Sequence, residues 1–283
     1  MSRKMYFAPQ LTNADICDII IKIQKGGENM ILTFDIGNSV ITLGGFEGDG
    51  LAFVAHLSSD TARTADEYAS SLLSLFSLYS IDRASVSGAI MSSVLPELNF
   101  DIKQAISIAF AIDTLTVGPG IKTGIGIRCD TPSSVGGDLI CASVAAHYIH
   151  SSPSLIVDID TATKMTVVNK SGAFIGTSII PGVLMGLDAL AKSSALLPTV
   201  EPEAPACVIA KNTADCMRSG IIYGNASMID GMIDRIFAEI GEKIPVIVTG
   251  SQADLITPHL THSFIYDGHL VLRGLNILYR KNN

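Results

Sequence analysis

Two segments in opposite halves of the chain share one pattern: an apolar strand ending in aspartate, a short polar turn, and a second strand running back. In the first copy, Ile31 to Phe46, the strand delivers Asp35 and the turn follows as Gly37-Asn38-Ser39. In the second, Leu155 to Val168, Asp158 matches Asp35, Ile159 matches Ile36, and Asp160 falls opposite Gly37. A unit repeated once per half predicts two related subdomains. Such a turn is poor in side chains and lined with main-chain N–H groups, so phosphate oxygens can approach it closely. A carboxylate at the strand end can hold a hydrated divalent cation that rides on those phosphates. If the two units face each other, a nucleotide fits the cleft with each turn gripping one side of its phosphates. Alone, the first copy also describes an ordinary hairpin with Gly/Asn turn chemistry; it is the repeat that weighs against that reading.

At 283 residues, 48% hydrophobic and only 16% charged, the chain can bury the core of one large domain or two of ordinary size. A net charge of −8, with no cluster of Lys and Arg, argues against nucleic acid as the main partner. Cys17, Cys129, Cys141, Cys207 and Cys216 are odd in number and lack C-x-x-C spacing. That points to reduced thiols in a cytosolic protein, with neither a disulfide framework nor a zinc site. No window reaches the ~18 uninterrupted apolar residues of a membrane span, and the basic start has too short an apolar stretch for a secretory signal. Lys25-Gly26-Gly27-Glu28 just ahead of Met30 can be encoded by a purine-rich string resembling a bacterial ribosome-binding site. Residues 1–29 are therefore expected to be a translated leader, the alternative being an amphipathic helix over 13–24. An N-terminal peptide from before Met30, recovered by mass spectrometry from the native host, would end that expectation.

Periodicity predicts a third strand at 51–57, a helix over 64–79, a buried strand from Val86 to Ser92, a helix over 96–110 and a short strand at 114–117. Three glycines and a proline in Gly118 to Gly124 break regular structure, and an apolar helix runs over 139–150 after Gly136-Gly137-Asp138. The second half reads as strands at 155–159, 163–168 and 174–179, a helix at 182–193, and a helix over 211–240 with a break. A strand at 246–249 and a last helix near 268–279 follow. Strands mixed with crossover helices mean an α/β protein.

With these motifs in order, the chain resembles the type III pantothenate kinases, within the actin- and hexokinase-like ATPase superfamily. The resemblance runs from Met30 to the C-terminus. Asp35-Ile36-Gly37-Asn38-Ser39 is similar to the family's first phosphate motif, Asp-x-Gly-Asn-Thr; Ser92-Ser93-Val94-Leu95-Pro96 and Gly118-Pro119-Gly120 with Thr123-Gly124 resemble internal signatures. Val135-Gly136-Gly137-Asp138-Leu139 resembles Val-Gly-Ala-Asp-Arg, and Asp158 to Thr163 resembles Asp-Phe-Gly-Thr-Ala-Thr. Ile180-Pro181-Gly182, Lys211-Asn212-Thr213, Ser219-Gly220 and Leu270 to Leu275 complete the match. The resemblance implies two related ribonuclease H-like subdomains, 30–150 and 151–283, with a nucleotide cleft between them. It implies phosphoryl transfer from ATP to pantothenate, opening coenzyme A synthesis, by a cytoplasmic homodimer. Asp138 would be the general base. Asp35 would stand near Mg²⁺, and Ile36, Gly37, Asn38, Ser39, Val40, Ile41 and Thr42 would line the phosphate turn. Thr161 would contact ATP, and Gly250 would pack beneath the adenosine. Gly136, Gly137, Asp138, Leu139 and Thr213 would hold pantothenate. Asp158 would bind the monovalent cation, K⁺ or NH₄⁺.

Three positions depart from the family pattern. Leu139 stands where the family has an arginine, and a leucine offers no donors to substrate oxygens. Asp160 replaces a glycine, adding a carboxylate beside the phosphates, and Lys164 replaces a neutral residue and can pair with Asp160 to cancel it. These changes leave open a catalytically impaired, nucleotide-binding regulatory paralogue on the same scaffold. A sugar or acetate kinase of the same superfamily fits the Gly-Pro-Gly and Gly-Gly-Asp stretches less well. Apart from the resemblance, Asp138 reads as the N-cap of an apolar helix and Asp158 as a strand-end turn residue. His147 with His150, and His259 with His262, read as surface or core residues lacking a third ligand. Cys129 and Cys141 read as buried thiols, with no histidine nearby in sequence to activate them.

Overall fold

A computed structural model describes residues 29–283. The leader expected at 1–29 lies, but for its last residue, outside the described residues. Grouping by contacts gives two compact units: the described residues through Ile149 together with Leu270–Asn283, and His150–His269.

The first unit is a five-stranded mixed sheet in the order β3-β2-β1-β4-β5. It uses β1 Met30–Ile36, β2 Val40–Glu47, β3 Gly50–Ser58, β4 Val86–Ser93 and β5 Thr114–Thr116. β1 pairs antiparallel with β2 and parallel with β4. Successive strand residues point to opposite faces. Leu32, Phe34 and Ile36 of β1 therefore face one way, into a core with helices α1 Ala65–Leu78 and α2 Asn99–Phe110. Thr33 and Asp35 face the other way. That second face packs Phe46 and Ile90 against α3 Gly137–Ala145 and the last helix through Ile140, Val144, Leu272 and Leu275. Asp35 thus comes to the face that α3 covers.

Helix α1 starts with a reciprocal cap. Thr64 N–H donates to Glu67 Oε2 at 2.8 Å, and Glu67 N–H donates to Thr64 Oγ1 at 3.4 Å. Thr64→Ala is expected to lower stability by about 1 kcal/mol in a urea titration.

The second unit repeats the sheet, in the order β10-β9-β6-β7-β8. Its strands are β6 Ser154–Ile159, β7 Ala162–Val168, β8 Phe174–Pro181, β9 Val246–Thr249 and β10 Ile265–Tyr266. As in the first unit, the Asp-bearing strand pairs antiparallel with the next strand and parallel with a later one. Leu155, Val157 and Ile159 pack under α4 Val183–Ser193 and α5 Thr213–Ile240, beside the short α6 Ala253–Ile256. The Asp158 side chain, by alternation, leaves this core on the opposite face.

Three expectations change. The helix expected to break is unbroken over 28 residues, from the Asn212 cap to Gly241 in the left-handed region. A buried row of Ile222, Ala226, Ile229, Ile233 and Phe237 runs along it, past Gly224 and Gly231. The resemblance sets Gly220 where the family has a helix-packing glycine, yet a Cβ added to it meets nothing within 4 Å among the described residues. Finally, the expected 151–283 subdomain loses its last element: α7, Leu270–Asn282, groups with the first unit. Its apolar face (Leu272, Leu275, Leu278) packs with Phe46, Ile90 and Val144.

Candidate active site

In the first unit the turn after β1 is closed by its own backbone. Gly37 N–H donates to the Val40 carbonyl at 3.0 Å, so that group is spent within the turn. Ser59 braces the loop from β3, its N–H donating to the Ser39 carbonyl and its hydroxyl to the Gly37 carbonyl at 2.7 Å. Ile36 and Ile41 are fully buried and can offer a ligand only main-chain atoms. Asn38, Ser39 and Val40 are exposed at the tip, with Gly37 and Thr42 half-buried.

Asp35 is half-buried and lies in register with Ser92 of parallel β4 and with Thr42 of antiparallel β2. Ser92 is fully buried, and its hydroxyl has no hydrogen-bond partner among the described residues. A Cβ on Gly137 would come 2.7 Å from that hydroxyl, so the first turn of α3 lies directly against β4. Gly136 caps α3 and Asp138 stands two residues inside. The N-cap reading of Asp138 is therefore corrected: its carboxylate curls back over Gly136, where an added Cβ would meet Asp138 Oδ1 at 2.4 Å. A carboxylate in the first turn also lies at the positive end of the helix dipole.

Asp35 and Asp138 are linked through Ser92, which pairs in register with Asp35 and lies against Gly137. Cys141, one turn further along α3, is fully buried, and its thiol pKa is pushed well above its ordinary value. Burial is the main cause, followed by the negative charges of Asp35 and Asp138. Asp35 on a strand end and Asp138 on a helix start, about a hundred residues apart in sequence, thus both act on that thiol through their charge. Iodoacetamide at mildly alkaline pH is expected to label the exposed Cys207 and Cys216 quickly and Cys141 only after denaturation, as peptide mapping would read.

Leu139, set by the resemblance against the substrate, is only 8% exposed and packs into the unit. An apolar residue at that helix position turns inward, where a guanidinium would need a polar exit.

In the second unit, Asp158 lies directly across from Lys164 in the β6–β7 pair, and Lys164 Nζ stands 2.8 Å from Asp158 Oδ2. The expected pairing of Lys164 with Asp160 is corrected. Asp160 instead accepts a hydrogen bond from the Ser251 hydroxyl. The register explains this, since cross-strand partners share a face whereas Asp160 belongs to the turn. Gly250 directly follows β9 with φ +104°, and a Cβ there would come 2.3 Å from the Ile159 carbonyl and 2.6 Å from Asp158 Oδ1. Only glycine fits. Thr161 is half-buried in the turn, and Thr213 is exposed at the first position of α5. Ser92 and Ser251 were not singled out as site residues; the register of Ser92 beside Asp35 appears only when β1 and β4 are paired.

The paired histidines have protein partners among the described residues. His150 Nε2 meets Asp267 Oδ2 at 2.9 Å and His262 pairs with Asp234, while His259 packs edge-on to Tyr223.

A family model described as type III pantothenate kinase matches residues 31–235. The chain is 40% identical over 253 residues to a protein of Geotalea daltonii named type III pantothenate kinase, covering 89% of this chain and 99% of that one. It is 38% identical to a protein of the same name from Moorella thermoacetica, covering 89% of this chain and 100% of that one. Among solved structures it is similar in fold to a Baf family transcriptional activator from Campylobacter jejuni (TM-score 0.54, 17% identity, 89% and 98% of the two chains). The ethanolamine utilization protein EutJ from Carboxydothermus hydrogenoformans is similar too (TM-score 0.52, 12% identity, 93% and 95%).

Proposed function

The chain belongs to the type III pantothenate kinase family, and on that premise we propose that it transfers the terminal phosphoryl group of ATP to the primary hydroxyl of pantothenate, the first step of coenzyme A synthesis. The observation that carries the residue assignment is that Asp35 lies in register with Ser92, against whose hydroxyl the first turn of α3, bearing Asp138, is packed. Nothing in the relatives supports an impaired regulatory paralogue.

Phosphoryl transfer asks for alignment and charge neutralisation more than covalent help. In our reading Asp138 accepts the proton of the pantothenate hydroxyl as that oxygen bonds to the γ-phosphorus. The bond from the γ-phosphorus to the β–γ bridging oxygen breaks, and ADP leaves with the electron pair. Gly136 and Gly137 keep the approach to Asp138 free of side chains. The exposed Asn38–Ser39 tip meets phosphate oxygens, and Thr161 and Gly250 are assigned to ATP. Thr213 and the backbone at Leu139 contact pantothenate.

Asp35 suits Mg²⁺ of the kind that keeps most of its ligands as water and phosphate oxygen. Among the described residues no group of three His, Cys, Asp or Glu forms a closed metal cage, and a nucleotide-borne ion needs none. Bound there, Mg²⁺ supplies neutralisation of phosphate charge. The potassium or ammonium assigned to Asp158 fits less well, because a lysine ammonium already stands on that carboxylate.

A homodimer is supported by large apolar side chains left exposed on the second unit, Ile179, Leu196, Val208 and Ile209 among them. Sedimentation equilibrium tests it. A cytoplasmic location accords with this chemistry; among the described residues no helix is long and apolar enough to cross a membrane. For the reaction itself, ADP release from ATP and Mg²⁺ should appear only when pantothenate is added, with a new phosphate monoester in the phosphorus NMR spectrum. ADP release without that ester would defeat the reading.

A further inference from the structure

We propose that the Lys164 ammonium occupies, beside Asp158, the place that a free monovalent cation would take, so that this kinase works without added potassium or ammonium. The inference rests on the kinase reading above. Asp158 and Lys164 are direct cross-strand partners, so the lysine stem lies along the same face and delivers its head to the carboxylate. Nζ stands 2.8 Å from Oδ2, with side-chain exposures of only 17% and 11%.

The chemistry matches. A lysine ammonium carries the unit charge of K⁺ or NH₄⁺ and points N–H donors at the same oxygens. Being tethered, it is present at high effective concentration whatever the medium holds. A second cation on Asp158 would face like-charge repulsion at contact range in a poorly solvated place. The other oxygen is also crowded, since Asp158 Oδ1 faces the main chain at Gly250, where even a methyl group would clash. The repeat supplies an internal contrast: the residue across from Asp35 in the first unit is the neutral Thr42.

The test uses the full chain in choline-balanced buffer of constant ionic strength, with K⁺ raised from none to cellular levels. The wild-type rate of pantothenate phosphorylation should change by less than about twofold, because the tethered cation already saturates its site. Lys164→Met takes the ammonium away from a buried carboxylate, so its rate should fall and then recover about tenfold or more with K⁺. A second reading needs no turnover: the unfolding temperature of Lys164→Met should rise with K⁺ or Tl⁺ and not with choline, while that of the wild type stays flat. Potassium stimulation and potassium stabilisation of the wild type, or cation indifference of the variant in both readings, would overturn the proposal. If no buffer yields phosphorylated pantothenate, the kinase reading fails instead, and the unfolding series alone still decides whether Lys164 fills a cation's place.

Discussion

Asp138→Asn should lower kcat for pantothenate phosphorylation by about a thousandfold, within the range that a positioned general base supplies. The amide keeps the size and first-turn position of the carboxylate, yet it cannot accept the hydroxyl proton. Helix α3 should survive the change, because Gly136 and not Asp138 provides its cap. Its unfolding temperature should therefore stay close to that of the wild type, and the KM for ATP should shift little, since the ATP contacts are assigned to other residues. A variant that retained a tenth of its activity would remove Asp138 from the proton transfer.

Gly274→Val should cost about 3 kcal/mol, the upper part of the usual range for overpacking. Helix α7 lies so close to α3 that a Cβ on Gly274 would come 1.9 Å from the Cys141 carbonyl oxygen and 2.5 Å from its carbon. Those atoms are helix backbone and cannot swing aside. The neighbour of Gly88 is instead the Tyr279 hydroxyl, the end of a side chain that can rotate, so Gly88→Ala should cost clearly less. Urea titrations of the two variants give the comparison. Because α3 carries Asp138, Gly274→Val should also lose activity while still folded. Equal stability of both variants would mean that α7 does not fix the position of α3.

Much of this was readable from residues alone, and the reasons are local. The alternation of Leu32, Phe34 and Ile36 announces a strand with one face in a core, and the same rhythm returns at Leu155, Val157 and Ile159. Each strand then ends in aspartate, so the repeat could be seen before any sheet was assembled. Properties that depend on pairing could not. Lys164 is four residues from Asp160 in sequence and six from Asp158, and only the β6–β7 register sends it to Asp158 and not to Asp160. Glycines at 220, 224 and 231 argue for a weak helix, yet a buried apolar row on the opposite face holds α5 in one piece. The last helix follows the second unit in sequence but buries its leucines with the first, a choice made by complementary surfaces far apart in the chain. Leu139 looked like a missing substrate contact, and its burial makes it a packing residue in this chain.

A single-turnover quench with ATP labelled at the γ-phosphate bears most directly on the central claim. The account expects label on pantothenate in the wild type, on ATP in Asp138→Asn, and on inorganic phosphate in neither. Label released to water, or passed to pantothenate as fast by the variant as by the wild type, would contradict it.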